Sequence, residues 1–421
     1  ISSQTEITTK STSFPTLTTQ TKPIENVQYM WHQLLIDVFL HISPLDSSKN
    51  EMVQYCRLNY KDKPNALKVI DDFNRTYKSN DAIWWNTQDY ISSLLNNILN
   101  SNDIQLMFKF HSYIIDLNNQ LCQIHSQFIQ NLLVNQKIVT VYLGQVMSRE
   151  NLKHLKNNIG GLMMIKHFLM TTRNREMALI FAGYGSEMTQ GESVLFHITI
   201  NIHTIKKPFA PIKHMVNMSD SEEIMLSMAS VFCIESVEQS DNRVWCIRLK
   251  LINDEDVQVK ELATFIKKEI NTTVPTLIIG KILVMMDDYD SADRYYKMLL
   301  STNNHSLKGA IHTNLGIVNN EKGMYSEAQK QFLEALTIET KCIPPNYPNQ
   351  AAIYTNLGTI FEKNNNNTEA LQYYEKAREM ALKSPQSDLL LASIHNNIGT
   401  IYKNMGDYPK AMDNFSKAYQ L

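Results

Sequence analysis

The segment Ile138-Val139-Thr140-Val141-Tyr142-Leu143-Gly144-Gln145 decides how the chain divides, because the spacing of apolar residues changes there. Before it, from Ile24 to about Asn135, apolar residues return every three or four positions, as in Met30, Leu34, Leu35, Val38 and Phe39, and again in Met107, Phe110, Ile114, Leu117 and Leu121. That period lays one apolar stripe along each helix and predicts a helical block. After Lys137, β-branched and aromatic residues gather in short runs at 138–142, 194–200, 224–228, 231–237 and 244–251. Such side chains suit a pleated surface, so these runs predict strands. Between them, 149–155 and 174–181 keep helical spacing, the second with Thr171 and Thr172 as expected N-caps. The acidic, apolar-free Asn253-Asp254-Glu255-Asp256 predicts the exit from this mixed α+β domain.

Outward from that core, bulk properties set limits. A chain of 421 residues is too long for one ordinary core at ~100–200 residues per domain, so two substantial domains are expected. A formal net charge of -2 gives no global attraction to nucleic acid or anionic membrane, and neither is an expected partner. No apolar run reaches the length of a membrane-spanning helix. The five cysteines, Cys56, Cys122, Cys233, Cys246 and Cys342, are scattered without zinc-site or disulfide spacing. They are read as reduced thiols, with a cytoplasmic setting and no metal. Ile1 to Thr21 is crowded with Ser and Thr and has no apolar signal core, which predicts a flexible tail or a cut end.

Beyond about Thr272 an internal repeat is plain. Its anchors are Gly280, Gly316, Gly358 and Gly399. Twelve positions later stands Ala292, Ala328, Ala370 or Ala411; sixteen later stands Tyr296, Phe332, Tyr374 or Phe415; nineteen later stands Leu299, Ala335, Ala377 or Ala418. Small residues at fixed places let paired antiparallel helices approach closely, with the aromatic expected to fill the joint between neighbouring pairs. This register resembles tetratricopeptide repeats. The last three repeats also carry Asn two places before the glycine (Asn314, Asn356, Asn397) and have long spacings, which resembles the kinesin light chain type. The resemblance implies a protein or peptide ligand on the solenoid, and the final exposed face implies further repeats or a covering partner.

Three segments of the α+β region carry a second resemblance: Val141-Tyr142-Leu143-Gly144-Gln145, Phe168-Leu169-Met170-Thr171-Thr172, and Ser221-Glu222-Glu223-Ile224-Met225-Leu226. With their flanks Asn157 to Gly160, Arg173 to Arg175, Ala178, Phe181-Ala182 and Ser230 to Phe232, they resemble, in order, the aromatic-Arg-Gly, Ser-Thr-Ser and Glu-x-Glu motifs of arginine-type mono-ADP-ribosyltransferases, in particular the bdelloid-rotifer branch. Ala82-Ile83-Trp84-Trp85 and the Phe108 to His125 helix resemble the same family upstream. The key positions here hold Leu143, Met170 and Ser221.

The resemblance implies a fold, a co-substrate and a set of roles. The expected architecture is a Ser/Thr-rich tail over 1–22, a helical block over 23–136, a mixed-sheet ADP-ribosyltransferase-like α+β domain over 137–256, and an all-α tetratricopeptide solenoid over 257–421. Nicotinamide adenine dinucleotide (NAD) would lie against Tyr142, Leu143, Gly144, Gln145, Met170, Thr171 and Thr172. Glu223 would stabilise the oxocarbenium-like state as the glycosidic bond breaks, and Ser221 stands where the family positions an acceptor arginine. Glu222, one residue earlier, would point to the opposite face of a strand. Tyr142-Leu143, Thr171 and Glu223 should then meet in one cleft between sheets.

Leu143 removes the guanidinium that would clamp the dinucleotide, at a cost of roughly 1.5–3 kcal/mol. Lys137, Arg149, Lys166, Arg173 and Arg175 are the cations near enough in sequence to compensate. Two functions follow: an NAD-dependent transferase acting on protein arginine, weakened by its substitutions, or a catalytically dead pseudoenzyme whose repeats assemble a complex. No His-Glu-x-x-His spacing and no phosphate-binding glycine loop points to other chemistry, and Trp84-Trp85 reads as helix core.

Overall fold

In a computed structural model the change of period at Ile138 is the start of the first strand of an eight-stranded sheet. The structure describes residues 23–44, 48–101, 103–132, 137–183, 191–212, 222–240, 243–252, 274–302, 305–385 and 387–421. The tail 1–22, Ser221 and the predicted boundary at 256/257 lie outside the described residues. The chain splits into two compact units, meeting in sequence at Pro275 and Thr276.

The first unit begins with α1 (Pro23–His41), α2 (Ser48–Asn59), α3 (Pro64–Thr76), α4 (Ala82–Asn86), α5 (Asp89–Ser101), α6 (Ile104–Lys109) and α7 (His111–Leu132). α7 is the axis of this block: Tyr113, Ile114, Leu117 and Leu121 recur at helical spacing and are all buried. Its Gln120 accepts from the Ile83 N–H and donates to the Asn80 carbonyl, which ties the start of α4 to the α7 surface. Trp85 is buried edge-on to Trp84 and beside Phe73, so this pair serves the core. At the far end of α7, His125 Nδ1 lies 2.8 Å from the Phe209 carbonyl oxygen and joins the block to the sheet.

The strands are β1 (Ile138–Met147), β2 (Leu162–Ile165), β3 (Leu169–Thr172), β4 (Glu192–Asn201), β5 (Phe209–Pro211), β6 (Glu223–Leu226), β7 (Ser230–Gln239) and β8 (Trp245–Leu251), in spatial order β2-β7-β8-β4-β1-β3-β6-β5. Among these described strands only β4 and β8 pair in parallel. One face carries a continuous apolar cluster that includes Val139, Val141, Phe196, Ile198, Ile247, Leu249 and Ile224, with Leu143 and Phe128 of α7 packed against it. Two short helices, α8 (Arg149–Asn157) and α9 (Arg175–Phe181), lie between strands. Thr171 and Thr172 do not cap α9. Both belong to β3, and the cap is Asn174, whose side chain accepts from the Glu176 and Met177 N–H groups at 3.0 and 3.2 Å. The threonine hydroxyls are already committed, Thr171 to the Ile224 carbonyl and Thr172 to the Asn174 N–H.

The described helices of the second unit form four pairs: α10 (Pro275–Met285) with α11 (Tyr289–Ser301), α12 (Lys308–Glu321) with α13 (Tyr325–Glu339), α14 (Tyr347–Lys363) with α15 (Asn367–Ala381), and α16 (Asp388–Asn404) with α17 (Tyr408–Gln420). In each pair the repeat glycine on the first helix faces the repeat aromatic on the second. A Cβ would meet the Tyr296 ring at Gly280, and would lie 2.5 to 2.8 Å from the rings of Phe332, Tyr374 and Phe415 at the other three. The missing side chain leaves a slot that the ring fills within its own pair, and the ring also reaches the joint between pairs: Phe332 clusters with Ile353, Leu357 and Ile360, and Tyr374 with Ile394, Ile398 and Ile401, on the first helix of the next pair.

Seven residues after each glycine the backbone turns left-handed, at Asp287, Gly323, Asn365 and Gly406. This stops the first helix in the way a glycine or asparagine C-cap does. The next residue is the N-cap of the second helix. Asp288, Asn366 and Asp407 each accept an N–H three residues on, whereas Met324 offers no acceptor. The backbone at Met324 (φ -86, ψ 64) matches that at Asp288 (φ -87, ψ 66), so the geometry for a cap is in place. Met324→Asp is expected to stabilise the repeats by about 1 kcal/mol, read from the helical circular-dichroism transition in urea. An unchanged or lower midpoint would show that the turn does not present the side chain as the register requires.

Candidate functional site

The register of the sheet settles which predicted positions share a face. Tyr142 on β1 is opposite Thr172 on β3, and Thr172 is opposite Glu223 on β6. Directly opposed residues project to the same side, so these three form one row across three strands. Leu143 projects to the other side. It is opposite Phe196, packs against the apolar cluster, and falls in the row of Thr171 and Ile224. Tyr142, Thr172 and Glu223 are thus brought together, while Leu143 and Thr171 are separated from them by the thickness of the sheet. No single face gathers Leu143, Thr171 and Glu223, so a guanidinium at 143 could not share a small ligand with the Glu223 carboxylate.

The remaining positions have local explanations. Gly144 lies under α9, where a Cβ would overlap the Ala178 carbonyl and sit 2.9 Å from the Ala182 nitrogen. Met170, opposite Met225, is half-buried on the side of Tyr142. Gln145 is 6% exposed, and neither polar atom of its amide has a partner among the described residues. Glu223 opens β6 half-buried, and its carbonyl accepts from the Ile212 N–H at 3.1 Å. The row continues at positions outside any of the motifs: His197 on β4 is opposite Tyr142 with ring centroids 5.3 Å apart, and Arg248 on β8 is opposite His197. Burial first, then the Arg248 guanidinium, holds the His197 imidazole below its ordinary pKa, with Glu235 opposing. The signal for His197 was available as a polar residue at an outward position of an alternating strand.

Of the compensating cations, Arg149 pairs with Glu192 at 3.0 Å and Arg175 with Glu176 at 3.5 Å. Lys137 is exposed, and Lys166 is half-buried with its ammonium pKa lowered by burial. Arg173 differs from these. Its guanidinium lies 5.7 Å from the Phe128 ring, and its Nη2 is enclosed with no acceptor among the described residues. Among the described residues no cluster of His, Cys, Asp or Glu could hold a metal, and no helix is long and apolar enough to cross a membrane.

In the second unit the asparagines Asn314, Asn356 and Asn397 sit two residues before their glycines. Two residues are about 200° of helical rotation, so each amide faces away from its own second helix. All three are half-buried. None of the three side chains makes a hydrogen bond among the described residues, while neighbouring Thr313, Thr355 and Thr400 return theirs to their own backbone four residues earlier. The first helices of successive pairs touch, α12 with α14 and α14 with α16, and the second helices touch less. An ion pair of 3.6 Å between Glu321 and Lys363 also bridges two first helices. The first-helix side is therefore the tighter side of the stack, and in each of the last three repeats it carries one such amide in the same register, where the first repeat has Ile278.

Two sequence models of the tetratricopeptide repeat match residues 307–383 and 392–421, and the second unit carries tetratricopeptide repeats. Among solved structures the chain is similar to BtubC (BKLC) from P. vanneervenii at 20% identity and TM-score 0.32, covering 35% of this chain and 61% of that one. It is also similar to MamA (18%, TM-score 0.28, 40% and 88%) and to the APC/C hetero-tetramer Cut9-Hcn1 (19%, TM-score 0.30, 34% and 26%). The chain spans less than two thirds of the first of these. No curated protein matches it. At these TM-scores the likenesses carry nothing about function.

Proposed function

We propose that this chain is an interaction scaffold whose repeats hold an extended segment of a protein partner on the first-helix side. The observation that carries this reading is the row Asn314, Asn356 and Asn397. A side-chain amide both donates and accepts, so it can pair with a peptide unit whatever side chain that unit bears. One amide in each of three successive repeats favours a ligand that runs along the stack in extended form, as a strand or polyproline segment does. Each such bond contributes about 0.5–1.5 kcal/mol net. Replacing all three asparagines by alanine is expected to weaken a peptide selected from a displayed random library by roughly tenfold to a thousandfold. The half-exposed positions should leave the unfolding midpoint within about 0.5 kcal/mol of the parent. Equal affinity in the triple variant would remove the asparagines from recognition.

A second reading rests on a different observation, the shared row of Tyr142, Thr172 and Glu223. It keeps the resemblance to arginine-type mono-ADP-ribosyltransferases and has the sheet bind NAD, with Glu223 as the carboxylate. Against it stand Leu143 in the apolar cluster and the hydroxyl of Thr172 already accepting from the Asn174 N–H. Nicotinamide release by the purified chain, lost in Glu223→Gln, would revive this reading. Under the scaffold reading there is no release above the rate in buffer. The five cysteines are free thiols, which suits the cytoplasmic setting that either reading places it in.

A further inference from the structure

Arg173 leaves β3 on the side of the apolar cluster, where charged groups are costly. Its backbone N–H donates to the Glu222 carbonyl at 3.0 Å, which fixes the chain beneath the side chain. The guanidinium rests over the Phe128 ring, and Phe128 itself packs against the cluster. Its Nη2 is shut off from solvent, with nothing among the described residues to accept its hydrogens. Arg149 and Arg175 each have a carboxylate; no described carboxylate reaches the Arg173 Nη2.

A guanidinium remains charged throughout the accessible pH range, so it cannot shed this cost by losing a proton. An enclosed donor on a charged group without an acceptor is destabilising by more than the roughly 1–3 kcal/mol of a neutral one. Phe128 lies to one side, its ring centroid 5.7 Å from Cζ, and offers no hydrogen-bond acceptor, so the N–H edge of the fork is where a partner has to bind. The complement of that edge is an oxyanion, whose paired oxygens match the parallel N–H groups. We infer that Arg173 is the anchor of an oxyanion subsite, taking the phosphate or carboxylate group of a small molecule. The inference is independent of both readings above, since it requires neither Glu223 chemistry nor the repeats.

The test uses the full chain and its tryptophans, Trp31, Trp84, Trp85 and Trp245, all of which lie in the first unit and report its unfolding. Inorganic phosphate, ADP or acetate, added at matched ionic strength, should raise the fluorescence unfolding midpoint, because a ligand that binds only the folded state stabilises it. The rise should vanish in Arg173→Gln and persist in Arg175→Gln, which removes an exposed charge close by. A rise with phosphate and ADP alone identifies a phosphate site, and one with acetate also identifies a general oxyanion site. No rise with any of the three, or a full rise in Arg173→Gln, would overturn the inference. If Arg173→Gln does not fold, the sequentially assigned Nε–Hε resonance of Arg173 in the unaltered chain decides. A phosphate-dependent shift of that resonance supports the subsite, and a stationary resonance excludes it.

Discussion

Gly144→Ala is expected to lower the stability of the first unit by about 3 kcal/mol, a large loss for one added methyl group. The cause is the identity of the obstacle. The new Cβ would meet the carbonyl oxygen and carbon of Ala178 and the nitrogen of Ala182, all main-chain atoms of α9 or its end. A side chain could swing aside, but a helix must move as a body, and α9 is held by Ala178 and Ala182, both fully buried. Lifting it opens the joint over Tyr142, Leu195 and Val244, which form one cluster with Ala178 and Leu179. Gly160 provides the control. It has φ +81 and nothing within 4 Å of the place where an added methyl would stand, so Gly160→Ala should cost only the left-handed backbone penalty of about 1 kcal/mol. Urea unfolding followed by tryptophan fluorescence compares the two. Equal, small losses in both would mean that α9 is not seated on β1 as described.

The repeats were legible because one physical demand is made four times. Each glycine must admit a ring, and each turn must reverse the chain with a left-handed residue and a cap, so the same residue types return at the same offsets. Long strands were legible for a related reason. β1, β4, β7 and β8 run seven to ten residues, long enough for pairing preferences to leave a pattern. β2, β3 and β5 have only three or four residues, and Leu162-Met163-Met164-Ile165 shows no period that separates it from a helix. Those strands exist because neighbouring edges supply their hydrogen bonds. The row Tyr142, Thr172, Glu223 was illegible for a different reason: it joins residues far apart in the chain through register, which no local pattern records. The facing of Leu143 was written in the sequence, however. Val139, Val141 and Leu143 alternate with Thr140, Tyr142 and Gly144, and that alternation alone assigns Leu143 to the apolar side. A motif comparison weights the residue type at 143 and overlooks the direction in which it points.

Leu143→Arg is expected to destabilise the first unit by roughly 2–4 kcal/mol and to create no nicotinamide release. Two losses combine in that figure. The leucine side chain gives up its contacts with the apolar cluster, and the guanidinium enters a neighbourhood whose described members, Phe196, Val141 and Ile224, offer no carboxylate. Partial exposure at 143 lets the longer side chain reach toward water, which keeps the cost below that of a fully buried charge. Tyr142→Arg is the informative partner, since residue 142 is half-exposed on the side of Thr172 and Glu223. There the guanidinium keeps part of its hydration and has a carboxylate two strands away, so the change, which gives up the contacts of the Tyr142 ring with Ala178, Leu179, Leu195 and Val244, should cost less than Leu143→Arg. The two variants differ by one position and by the direction of one side chain. If Leu143→Arg were tolerated and released nicotinamide while Tyr142→Arg did neither, the inner face would have to be an open cleft, and the division of the sheet into a packed side and a polar side would fail with it. The opposite ordering leaves the polar row as the only face of this sheet on which a charged ligand could meet Glu223.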